Sequence, residues 1–163
     1  MGTYSFKSSG FLKQNVNDEV DRVTLLPIGI KTPLSLGTED RSGLFSMHFN
    51  INEQVHDNLR NLLLTNPGER LGRANFGAGL RELTMEMLSS ENYEQFLMMR
   101  IKSTVDKYMP FVDLDSFGVE AKPYTTPYDS ENSMSKVEII IKYNIQQLGV
   151  VGRSLKLILY VAG

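Results

Sequence analysis

Residues 136–162, KVEIIIKYNIQQLGVVGRSLKLILYVA, decide the fold class. Val137, Ile139, Ile141, Tyr143 and Ile145 fall on alternate positions, with Glu138, Ile140, Lys142 and Asn144 between them. A period of two belongs to a strand with one face in a core. The run GVVGR then turns the chain. Ser154 to Val161 reads as a last strand, with Leu155, Leu157, Leu159 and Val161 opposite Lys156, Ile158 and Tyr160.

Upstream, Phe111 to Lys122 reads as a strand carrying Val112, Leu114, Phe117 and Val119, with Gly118 as a bulge. The segment 122–135, KPYTTPYDSENSMS, is polar and broken by prolines, so it reads as a loop that is long for a hairpin. Three strands in meander order suit an antiparallel sheet with helices on one face.

The helices lie earlier. Asn50 to Leu64 is predicted as one, with Asn50 as cap, Glu53 three residues on, and an apolar stripe of Val55, Leu59, Leu62 and Leu63. The run TNPG ends it, because Pro67 cannot continue a helix. Leu80 to Leu88 reads as a short helix with Leu80, Leu83, Met87 and Leu88 on its inner face. A third helix, capped by Ser89 or Ser90, runs to about Tyr108 with the stripe Tyr93, Phe96, Leu97, Ile101, Val105 and Tyr108, and stops at Pro110. The expected fold is therefore α+β: two main helices and a short one packed on a three-stranded antiparallel sheet.

Residues 1–49 differ from the rest, with scattered apolar residues, Pro27, Pro33 and turn-rich pieces such as SLGTEDRSG. Short strands at 22–26 and 44–49 are one reading, and an arm that gains structure on another surface is the other. The domain division is an N-terminal arm at 1–49 and an α+β domain at 50–163.

The chain has 163 residues, 41% hydrophobic and 22% charged, which suits one folded domain with a core. A net charge of −2 argues against nucleic-acid binding, which needs a basic stripe. The absence of cysteine removes disulfides, thiol nucleophiles and zinc–thiolate sites. The start MGTYSFKSSGFLKQNV has no apolar signal-peptide core, and Phe6 stands where a myristoylation pattern has serine or threonine. No apolar run is long enough to span a membrane. A soluble protein with no nucleic-acid or membrane partner is expected.

Asn66 to Leu83, NPGERLGRANFGAGLREL, is the stretch that invites a chemical reading. Gly72 and Gly77 have the spacing of a phosphate-binding loop, but Ala78 and Gly79 follow where lysine and serine or threonine belong. GAGLRE begins like a dinucleotide fingerprint, but Glu82 replaces its third glycine and a helix, not a strand, precedes it. The glycines instead supply positive φ and close backbone approach in an ordered loop. Arg70, Arg73 and Arg81 lie close together there, and their planar forks suit carboxylates in a clamp or an interface.

Elsewhere catalytic signals are weak. His48 and His56, the two histidines, read as surface or linker residues. Glu82 and Glu86 share a helix face, and Asp113 with Asp115 is too small a set for calcium. No cofactor, metal or catalytic residue is expected.

The order helix LRNLLLTNPGER, loop LGRANFGAGLRELTME, helix MMRIKSTVDKYMP, then strands resembles the baseplate wedge family of contractile-tailed phages. That family was long labelled lysozyme-like and includes the small baseplate subunit of type VI secretion systems. The resemblance covers about residues 50–163 and rests on Thr65, Gly68, Arg70, Arg73, Asn75, Phe76, Gly77, Gly79 and Leu80, with Arg81 beside them. Met109-Pro110-Phe111 stands where the family has Glu-Pro-Arg, a contact with the central helical bundle of the wedge. Pro110 is kept and both charges are gone, so either the contact is apolar or Arg100 or Lys107 substitutes.

The resemblance implies a structural protein of the tail baseplate in the virion, assembled in the host cytoplasm. Its partners would be other wedge proteins through the helical bundle and the tail sheath protein, with tube or hub proteins as further candidates. It also implies that the first sheath ring adds strands to the sheet. The last strand, Ser154, Leu155, Lys156, Leu157, Ile158, Leu159, Tyr160 and Val161, has one charge and invites such addition. The alternatives are a homologous subunit of a type VI secretion or other contractile injection baseplate, and a peptidoglycan hydrolase.

Overall fold

The computed structural model describes residues 26–37, 44–87, 91–126 and 129–162. Its elements are β1 (Gly29–Ile30), β2 (Met47–His48), α1 (Ile51–Leu64), α2 (Leu80–Met87), α3 (Tyr93–Tyr108), β3 (Asp113–Thr126), β4 (Asp129–Ile145) and β5 (Val150–Ala162). A 3-10 turn at Gln146–Leu148 joins the last two strands. The chain divides into two units, one ending at Asp57 and one beginning at Asn58, so the boundary falls inside α1.

In the second unit the sheet order is β3-β4-β5, antiparallel throughout. The alternation in β4 is realised: Val137, Ile139, Ile141, Tyr143 and Ile145 are all buried. Leu155, Leu157 and Leu159 of β5 are buried on the same side, as period-two patterning requires. α2 lies alongside β5 and α3 alongside β3. Leu59, Leu62 and Leu63 of α1, Leu80 and Leu83 of α2, and Leu97, Ile101 and Val105 of α3 complete this core. This is the expected α+β fold.

Buried hydroxyls link the helices. Tyr93 donates to Thr84 Oγ1 at 3.0 Å, and Thr84 donates to the Leu80 carbonyl at 2.6 Å. The Tyr93 and Thr84 hydroxyls thus each have a partner, which avoids the cost of an unmet hydrogen bond.

The other face of the sheet carries charge. Glu138 meets Lys136 at 2.6 Å and Lys156 at 2.7 Å, while Lys122 meets Glu120 at 2.8 Å. The hydrogen bond from Lys136, then the one from Lys156, hold the Glu138 carboxyl down at about 2 against an ordinary 4.5. A depressed carboxylate stabilises the fold above its unfolded pKa and loses that contribution as pH falls toward the folded one. Glu138→Gln is therefore expected to flatten the fall in Tm between roughly pH 5 and pH 2. Thermal melts across that range check it, and an unchanged acid slope would remove Glu138 from the explanation.

Several sequence expectations are corrected. The run 122–135 is not a loop. β3 continues to Thr126, β4 starts at Asp129, and Thr126 sits opposite Asp129. Residues 127 and 128 lie outside the described residues. Backbone pairing drives this, since Met134 and Ser135 also face Ala162 and Val161 of β5. Pro123 is tolerated because β3 is an edge strand. The bulge is not at Gly118, which pairs in register with Ile140; the register shifts between Leu114 and Ser116 instead. GVVGR is mostly strand, because β5 already begins at Val150. Gly149 and Gly152 hold φ of 64° and 66° there.

In α3, Asn92 rather than Ser89 or Ser90 occupies the cap position, without a side-chain cap bond. The two serines lie outside the described residues. Phe96 is exposed, while Thr104 is buried in the stripe with its hydroxyl donating to the Arg100 carbonyl at 2.8 Å. α1 and α2 match their predicted spans closely, and Asn50 Oδ1 accepts the Asn52 amide at 2.9 Å as a cap should. The side chains of Met87 and Leu88 lie outside the described residues.

In the first unit β1 pairs antiparallel with β2. β2 falls inside the expected strand at 44–49, whereas Leu26 is outside any strand and 22–25 lie outside the described residues. Leu26, Ile28, Ile30, Leu34, Leu36 and Leu44 are exposed along this irregular hairpin.

Candidate functional site

The glycine loop is built from consecutive turns. The Glu69 amide donates to the Asn66 carbonyl at 3.2 Å, with Pro67 and Gly68 between them and φ of 92° at Gly68. Proline then glycine is the residue pattern of a type II turn. Arg73 donates to the Arg70 carbonyl at 3.2 Å across Leu71 and Gly72, whose φ is 75°. Phe76 donates to the Arg73 carbonyl at 3.0 Å, and Gly68 to the Ala74 carbonyl at 2.7 Å, tying the turns together.

Side chains brace the same loop. Glu69 accepts the Asn66 amide and the Asn66 side-chain nitrogen, each at 2.9 Å. The Asn66 amide bond is the main cause that lowers the Glu69 pKa. The Arg70 guanidinium lies 3.9 Å from the centre of the Phe76 ring, and that ring tilts against Tyr108 with centroids 5.0 Å apart. The Tyr108 hydroxyl donates to the Asn75 carbonyl, which anchors the loop to the end of α3.

Space excludes a side chain at one glycine and is tight at another. Gly77, with φ of 113°, backs onto Thr65, where a Cβ would stand 2.8 Å from the carbonyl carbon. At Gly79, with φ of 61°, a Cβ would meet Pro67 at 3.1 Å. Leu80 then opens α2, with its side chain buried. So Gly68, Arg70, Asn75, Phe76, Gly77, Gly79 and Leu80 form one corner, while Arg73 and Arg81 stand exposed on it. Leu71, Lys107 and Tyr108 also belong to this surface, although only proximity in space brings the last two to the loop.

The other two candidate surfaces are the end of α3, directly after Tyr108, and the β5 edge. Met109 is buried at the end of α3, where its amide donates to the Val105 carbonyl at 2.7 Å, whereas Pro110 and Phe111 are exposed. β5 pairs with β4 along one side and, among the described residues, with no strand along the other. On it Ser154, Lys156, Ile158 and Tyr160 are exposed, alternating with the buried leucines.

His48 corrects the sequence reading. It is 5% exposed, with Nε2 2.7 Å from Asp57 Oδ2. Asp57 also accepts from the Thr32 amide at 2.9 Å and the Thr32 hydroxyl at 3.2 Å. Burial raises the Asp57 pKa, but these bonds outweigh it and leave it below the ordinary value. His48 thus pins the hairpin to α1 within the first unit. Its partner lies nine residues on and only folding brings the two together. His56 is partly exposed on α1. Glu82, Glu86, Asp113 and Asp115 are exposed, and no metal-holding cluster occurs among the described residues.

A family model described as baseplate wedge protein gp25 matches residues 50–148, more than half of the chain. No curated protein matches it. Similar solved structures include a Geobacter sulfurreducens protein provisionally called a tail lysozyme, 20% identical with a TM-score of 0.47, covering 68% of this chain and 89% of that one. A chain of the anti-feeding prophage baseplate is 18% identical with a TM-score of 0.46, covering 80% of each. The matched residues run from the cap of α1 through the glycine loop and β4 to the end of the 3-10 turn, and the chain belongs to the baseplate wedge protein gp25 family.

Proposed function

We propose that this chain links the wedge core of a contractile-tail baseplate to the sheath, and that β5 starts sheath assembly by accepting a strand. Family membership supports a structural role in the tail baseplate. The observation that carries the strand reading is the contrast between the two edges of the sheet. Both ladders carry a register shift, but β3 also carries Pro123, which discourages pairing. β5 runs 13 residues with no proline and only Arg153 and Lys156 charged. An edge of this kind is a template for an added strand.

The mechanism is geometric. Copies of the chain held in a ring would offer a ring of edges, and the first sheath layer would copy that spacing. Phe111 and Pro110 would face the wedge bundle, making that contact apolar. The glycine loop would lock the corner between α1 and α2 and turn its arginines to a neighbour. Residues 1–49 would act as an arm on residues 50–163, and the exposed apolar side chains of the hairpin support a covering neighbour there. No catalytic step enters this reading. A type VI secretion or other injection particle would use the same edge, and the gene neighbourhood separates it from a phage tail.

Removing residues 153–163 is a poor test, because Leu155, Leu157 and Leu159 are core. Ile158→Lys with Tyr160→Lys instead places charges on exposed positions of the edge strand. The variant is expected to fold and to bind wedge proteins, but to start sheath polymerisation about tenfold more slowly, by the 1.4 kcal/mol-per-decade relation. Ser116→Lys with Glu120→Lys on β3 should leave the rate unchanged. Equal rates for wild type and the β5 variant would overturn the proposal.

A further inference from the structure

We propose that the glycine loop is a docking knob for an acidic segment of a partner protein: Leu71 enters an apolar socket, and a carboxylate beside that socket is held between Arg73 and Lys107. This rests on the loop being an interface in the baseplate, and not on strand addition at β5.

Leu71 is fully exposed. A single exposed leucine is commonplace. What sets this one apart is its place and its support. It occupies the corner of the Arg70–Arg73 turn, a position usually given to proline or polar residues. The turn is held by the Gly68–Ala74 bond, the Asn66–Glu69 pair and the Arg70–Phe76–Tyr108 stack. A side chain displayed on so braced a loop loses little freedom on binding, which favours affinity.

The second observation is the cleft beside it. Gly72, Arg73, Ala74, Asn75, Phe76, Lys107 and Tyr108 line an open cleft of about 360 Å³. Its lining contains two cations and no acid. Asp106 lines a neighbouring hollow with Met99, Lys102, Ser103 and Lys107, so Lys107 borders both. Lys107 Nζ sits 4.7 Å over the Tyr108 ring, so its charge is directed along an aromatic floor. Among the described residues no ion pair engages Arg73 or Lys107. In a chain of net charge −2, such a basic and aromatic recess complements a carboxylate.

The test has two parts. First, the full chain is titrated with the blocked peptide acetyl-Glu-Glu-Glu-amide and with its glutamine counterpart, followed by NMR. Shifts are expected at the amides of 72–76 and of Lys107 and Tyr108 with the glutamate peptide alone, and Arg73→Gln with Lys107→Gln should abolish them. Shifts spread equally over Lys122, Lys136 and Lys156, or none at the cleft, would overturn the carboxylate site. Second, Leu71→Asp is mixed with the purified wedge and sheath neighbours. It is expected to keep the wild-type Tm and lose wedge association at least tenfold, while a photo-crosslinking phenylalanine analogue at position 71 joins a partner segment that contains Asp or Glu. Wild-type association by Leu71→Asp would overturn the knob. The peptide titration needs no baseplate, so its failure is distinct from failure of the baseplate reading.

Discussion

Gly77→Ala is expected to destabilise the protein by roughly 3–5 kcal/mol, while Gly72→Ala should cost only about 1–2 kcal/mol. Both positions hold positive φ, 113° and 75°, so each substitution strains the backbone. The difference is space. A Cβ at Gly72 meets nothing within 4 Å, whereas one at Gly77 runs into the Thr65 backbone. Thr65 cannot withdraw easily, because its amide is bonded to the Asn61 carbonyl at the end of α1 and its carbonyl accepts the Gly79 amide. Urea unfolding of the two variants checks the order. Equal losses would mean that the loop adjusts, and the corner between α1 and α2 would not be the rigid element described above.

The second large effect separates the two faces of β4. Ile139→Ala should cost about 2–5 kcal/mol and its neighbour Ile140→Ala about 0.5–1 kcal/mol. Ile139 is 0% exposed and Ile140 38% exposed. Truncating the first leaves a cavity among packed side chains, and truncating the second leaves a dent in a wetted surface. Chemical denaturation with an unchanged m-value is the measurement. Similar losses at both positions would show that something covers the outer face of the sheet in solution.

The parts of the fold legible in advance are those with strong local periodicity. Val137 to Ile145 and Leu155 to Leu159 could be assigned by alternation, and Leu59, Leu62 and Leu63 by helical spacing. The pairing of 122–126 with 129–135 could not. Serine, threonine and proline locally favour loops, and the hydrogen bonds that override them come from strands elsewhere in the chain. Gly118 misled for a related reason: a glycine in a strand can mark a bulge or merely sit on an exposed face. Thr104 replaced Phe96 in the core because a helix lets threonine satisfy its hydroxyl on the preceding turn.

The candidate site was half legible. The residues Pro67, Gly68, Gly72, Gly77 and Gly79 announced an ordered loop of turns. Their spacing did not announce that Phe76 would stack between Arg70 and Tyr108, since Tyr108 lies on the far side of two helices in sequence. The meander order expected from the sequence did put β5 at an edge of the sheet. That follows from β4 taking the centre.

The most direct test of strand acceptance is amide hydrogen exchange along β5 in the free protein and in its complex with wedge and sheath proteins. In an antiparallel strand successive residues direct their amides to opposite sides. In the free protein, every second amide between Val150 and Ala162 should be protected by β4 and the intervening ones should exchange quickly. On sheath binding, the fast set should become protected while β3 stays unchanged. If the fast amides of β5 remain fast in the assembled complex, no strand has been added there, and the sheath is held by another surface.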